Sequence, residues 1–124
     1  MTTVTFCEHE LKEWKESIDF FCDELIIFTR RLQEVAGKNS HKPLMSNVEH
    51  FQNQFILQKE NFDIFRHEIH EQSDRIRNGS KNENRLTDQT VIKKQALLRE
   101  QVRLAEKIFI ELKHSFCRFL SKVL

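Results

Sequence analysis

Six histidines, 19 acidic side chains and three cysteines are the groups in this 124-residue chain whose types could do chemistry. Their densest gathering is expected at one end of a helical rod. There Glu8, His9 and Glu10 come level with His67, Glu68, His70 and Glu71. Imidazoles and carboxylates on adjacent helices are the raw material of a metal site inside a bundle. His9, His67, His70 and Glu71 are the candidate ligands. Helical phase argues against them. His9 stands two positions after Cys7 and His67 two after Phe65, so both point away from the apolar seam, while His70 follows Ile69 by one and only flanks it. Di-iron bundles aim Glu-x-x-His pairs inward, but Glu68 is followed three residues on by Glu71. Solvated surface histidines, with no metal or other cofactor, are the expectation.

Other chemistries lack their parts. A zinc-protease helix needs His-Glu-x-x-His, and His67-Glu68-Ile69-His70 is one residue short of it. Two glycines cannot build a phosphate-cradling loop, and Asn78-Gly79-Ser80-Lys81 lacks the first glycine of one. A nucleophile needs an oriented base, but Cys7 and His9, like Cys117 and His114, leave their helix in different directions. No enzymatic activity is expected. Cys7, Cys22 and Cys117 are odd in number and not at metal-ligand spacing. They read as free thiols of a reducing, cytoplasmic setting.

Binding to nucleic acid is the main alternative. Lys93, Lys94, Arg99, Arg103 and Lys107 give the last helix a basic outer aspect that could track phosphates. Glu100, Glu106 and Glu111 interrupt it, and a net charge of +1 gives little long-range attraction.

These residues must be carried by long helices. Val4, Cys7, Leu11, Trp14, Ile18, Phe21, Leu25, Phe28, Leu32 and Val35 alternate spacings of three and four without a miss, the pattern of a helix packed lengthwise on others. A first helix is expected over about 5–36, with Gly37 just past its end. A second, over about 43–78, starts at Pro43, which loses nothing in a first turn. Its seam is Val48, Phe51, Phe55, Gln58, Phe62, Phe65, Ile69, Gln72 and Ile76. A third, over about 87–122, follows a polar segment, with Ser80 or Thr87 as cap. Leu97, Gln101, Leu104, Ile108, Leu112, Phe116, Phe119 and Val123 are expected to line it, at a spacing that drifts toward successive fours. With two glycines and one proline, a turn-rich sheet fold is disfavoured.

Short connections make sequence neighbours antiparallel. Trp14, Phe65 and the turn at 98–101 then share a level, and Gln58 faces Phe21. Residues 1–36 carry four basic and eight acidic side chains, and residues 81–124 carry ten and five. That asymmetry favours docking the first helix beside the third, at a few tenths of a kcal/mol per exposed pair.

The helices carry more apolar residues than three seams need. Phe20 and Ile27 on the first helix, Leu57 and Ile64 on the second, and Phe109 and Phe116 within a broad band on the third are expected to form a mid-rod face buried in a homodimer. A wide core in a monomer and a site for another protein are the competing readings. No run of 18 apolar residues suggests a membrane helix. The first residues lack a basic stretch followed by an apolar one, so no secretory leader is expected. The chain is thus read as one all-α domain over residues 1–124, an antiparallel bundle of three long helices with coiled-coil-like packing that pairs as a dimer. Its expected role is that of a non-catalytic structural or adaptor module. Nucleic-acid association and, behind it, metal binding are the rivals.

Overall fold

The computed structural model describes residues 2–38, 41–79 and 86–124. They form three α-helices, α1 (Thr3–Lys38), α2 (Lys42–Gly79) and α3 (Leu86–Val123), and no strand. At 1.5 Å per residue each is a rod about 55 Å long. The Thr2 hydroxyl accepts from the Thr5 backbone N–H at 3.1 Å, closing the first turn of α1 as a cap. Pro43 sits in the first turn of α2, where the His41 carbonyl accepts from Met45 at 3.0 Å. Gly37 does not end α1 as expected. It lies inside the helix without a positive φ, and the helix runs on through Lys38. The cap expected at Ser80 or Thr87 falls outside the described side chains.

All nine expected seam residues of α2 are buried or half-buried, as are those of α1 apart from Val4. The expectation for α3 was partly wrong. Leu97, Leu104 and Ile108 are exposed and Gln101 is half-buried beside the seam. The seam instead runs Val91, Gln95, Leu98, Val102, Ala105, Phe109, Leu112, Phe116, Phe119 and Val123. That order alternates four and three without a break. A polar Gln95 and a small Ala105 stand where hydrophobicity alone marks their larger neighbours.

The antiparallel register of α1 and α2 is about one turn from the expected one. Phe21 packs on Phe62 at 5.8 Å between ring centroids and Phe28 on Phe55 at 6.1 Å, so Gln58 lies a turn away from Phe21. α3 runs parallel to α1, with Phe21 on Phe109 at 4.8 Å and Phe28 on Phe116 at 5.3 Å. Phe21, Phe28, Phe51, Phe55, Phe62, Phe109, Phe116 and Phe119 thus form one connected aromatic core toward the α1–α2 connection.

Candidate interaction surface

At the other end of the rod the seams turn polar. Arg99 grips Glu10 with two donors, Nε to Oε2 at 2.6 Å and Nη2 to Oε1 at 2.7 Å. The Gln95 amide donates to Glu10 Oε1 at 3.0 Å and to the Cys7 carbonyl at 3.2 Å. Its oxygen accepts from Gln72 Nε2 at 3.1 Å, and the same nitrogen donates to the Val91 carbonyl at 2.9 Å. Arg75 Nη1 completes the set by donating to Gln72 Oε1 at 3.1 Å. Both buried amides therefore use their donors and their acceptor. This clasp ties α1, α2 and α3 at one level. Arg99 holds the Glu10 carboxyl below its ordinary value of 4.5, against the opposing effect of burial. Burial pushes the Cys7 and Cys22 thiols up, which disfavours the reactive thiolate.

The clasp also settles where the metal candidates stand. Glu10 is spent on Arg99. His67 Nε2 lies 2.9 Å from Glu71 Oε1, and His70 Nε2 lies 3.4 Å from Asp74 Oδ2, each one turn along α2. Both rings are exposed, and so is His9. Among the described residues, no three His, Cys, Asp or Glu side chains gather as they would around an ion. Of the four candidates, His67 and Glu71 touch, and no third joins them. The Glu-x-x-His spacing does occur at Glu111 and His114, but both side chains are exposed.

The basic aspect of α3 is broken as well. Arg99 faces α1 through Glu10, and Arg103 pairs with Glu100 at 2.8 Å. Lys93 and Lys107 are exposed on one outer line of α3, with Glu100 between them, and Lys94 is half-buried on a neighbouring line. The five positions form no continuous stripe.

The apolar residues outside the core stand differently from the expectation. Phe109 and Phe116 are 0% exposed inside the single chain. That corrects their assignment to an intermolecular face. Phe20, Ile27, Leu57 and Ile64 are exposed, between 50% and 59%, but they do not share one face. Glu10 and Glu24 of α1 reach Arg99 and Lys113 of α3, the latter at 2.6 Å. Phe20 and Ile27 lie on the same flank of α1 as Glu24, beside α3. On α2, Arg66 reaches Asp19 of α1 at 2.8 Å. Leu57 and Ile64 lie on the opposite flank of α2, so they face the other side of α3. There they come level with exposed Leu104 and Ile108.

The third groove, between α1 and α2, holds about 700 Å³ lined by Leu25, Ile26, Phe55 and Ile56 and by the charged Asp23, Arg30, Lys59 and Arg66. Among the described residues, no helix is long and apolar enough to cross a membrane. The chain matches no family model, no curated protein and no solved structure.

Proposed function

We propose that this chain is a non-catalytic interaction module. It works as a homodimer of three-helix bundles with coiled-coil-like packing, and it engages a further macromolecule through a face the dimer leaves open. The carrying observation is the pair of exposed apolar lines on either side of α3, Phe20 and Ile27 on one flank, Leu57, Ile64, Leu104 and Ile108 on the other. Apolar patches of this kind mark association surfaces. Removing each such half-exposed side chain from water is favourable by about 1 kcal/mol. The clasp residues are spent on one another, and among the described residues no three metal-ligating side chains gather, which supports a non-catalytic reading.

Solution mass by light-scattering chromatography tests the reading. Wild type is expected at twice the 15.0 kDa chain mass. Single-chain mass up to roughly millimolar concentration would overturn the homodimer.

A further inference from the structure

We propose that the two copies meet through the groove between α2 and α3, in an isologous dimer whose two-fold axis runs parallel to the rod. The proposal rests on the dimer reading above and names its face. Three observations separate this groove from the other two. The first is apolar. Leu57 and Ile64 on α2 and Leu104 and Ile108 on α3 line it, and all four are exposed.

The second is an unmet hydrogen-bonding demand. Glu68 Oε2 and Gln101 Oε1 are shielded from water and find no donor among the described residues. Both residues lie on the groove flanks of their helices. Buried acceptors of this kind are rare in a finished structure; a donor reaches them only when the side chains turn outward, a change that a partner seated on the groove would favour. Beside a two-fold axis, Gln101 stands next to the partner's Gln101. A primary amide donates and accepts at once, so such a pair is self-complementary.

The third is charge. Glu60 on the α2 side and Lys107 on the α3 side are exposed and make no ion pair among the described residues. Their helices are in register to within about one turn, as the Gln72–Gln95 and Phe62–Phe109 contacts show. Each of the other grooves is spanned by ion pairs. Glu10–Arg99 and Glu24–Lys113 cross between α1 and α3. Between α1 and α2, Arg66 pairs with Asp19.

Rotation about an axis parallel to the rod keeps height and exchanges sides. It lays α2 of one protomer along α3 of its partner. Leu57 and Ile64 then meet the partner's Leu104 and Ile108, and Glu60 comes beside the partner's Lys107. A two-fold axis across the rod would instead set α2 against α2, with Glu60 facing its own copy. Opposite charges on the two flanks select the first arrangement.

The test uses Glu60→Lys and Lys107→Glu, two exposed sites outside the core, with helicity checked by circular dichroism. Each variant alone puts two like-charge contacts into its homodimer, and its dimer dissociation constant is expected to rise about tenfold. Mixing the two restores both opposite pairs, so a heterodimer as tight as wild type is expected. Variants that dimerise as wild type does, or a mixture with no gain, would overturn this face. Phe20→Asp tests the α1–α3 groove in the same assay. If it alone yields monomer, the dimer reading stands and the α2–α3 face falls. If wild type itself is a monomer, both fall.

Discussion

The two ends of this rod are built from opposite materials. Toward the α1–α2 connection, eight phenylalanines close the core with ring centroids 4.8–6.3 Å apart. Toward the far end, Gln72, Gln95, Glu10 and Arg99 occupy or flank the same seams and exchange hydrogen bonds of 2.6–3.1 Å. Apolar packing supplies most of the stability of such a core, but one phenylalanine slides past another at modest cost. The clasp adds little net energy, because its groups were already bonded to water in the unfolded chain. A slip of one turn, however, leaves two amides and a carboxylate unpaired in the interior. The aromatic end therefore holds the bundle together, and the polar end sets its register.

The largest expected effect comes from the aromatic end. Phe109 is 0% exposed and touches Phe21, Phe28 and Phe62. Phe109→Ala should cost about 3–5 kcal/mol in denaturant unfolding. A loss near 1 kcal/mol would show that the aromatic core is not the main source of stability.

The clasp should respond differently to one change and to two. Gln95→Leu removes one partner from Gln72 and one from Glu10, which keep Val91, Arg75 and Arg99, and is expected to cost about 1 kcal/mol. Gln72→Leu together with Gln95→Leu should recover much of that loss, since both members of the buried amide pair are then apolar. The double variant should still show extra backbone resonances by NMR, as alternative registers become populated. A single set of resonances would remove the register role.

The smallest effects concern acid stability, and two carboxyls oppose each other there. Arg99 lowers the Glu10 value below 4.5 in the folded chain. Its contribution is therefore full above the unfolded value near 4.5 and is lost as pH falls through the folded one. Burial raises the Glu106 value instead. Its charged form disfavours folding at neutral pH, and protonation relieves this as pH falls through the raised value. Glu10→Gln should flatten the acid limb of the melting temperature. Glu106→Gln should raise the melting temperature at pH 7 by roughly 1–3 °C.

How much of this was legible beforehand varied with the helix. On α1 and α2 the buried positions carry large apolar side chains at nearly every step, so a hydrophobic period locates them. Gln58 and Gln72 are legible on the α2 seam because apolar neighbours frame them. On α3 the hydrophobic period points to the wrong side of the helix. Gln95 and Ala105 occupy core positions, while Leu97, Leu104 and Ile108 stand outside. The signal that could have found the seam was the unbroken alternation of four and three from Val91 to Val123, which requires accepting one glutamine. The clasp was not legible, because Glu10 and Arg99 lie 89 positions apart and look like ordinary surface charges. The mid-rod face was half legible. Its residues on α1 and α2 are exposed, but helical phase set them on different sides of α3.

The sequence by itself determined three long helices, their order and the inward faces of two of them. Those follow from local periodicity and from the scarcity of helix breakers. Only the tertiary structure decided which side of α3 faces inward, the one-turn register, the pairing of Glu10 with Arg99, and the separation of the exposed apolar lines into two grooves. Each of these depends on what a neighbouring helix presents at the same level. That neighbour lies tens of residues away in the chain, beyond the reach of a period read along one helix.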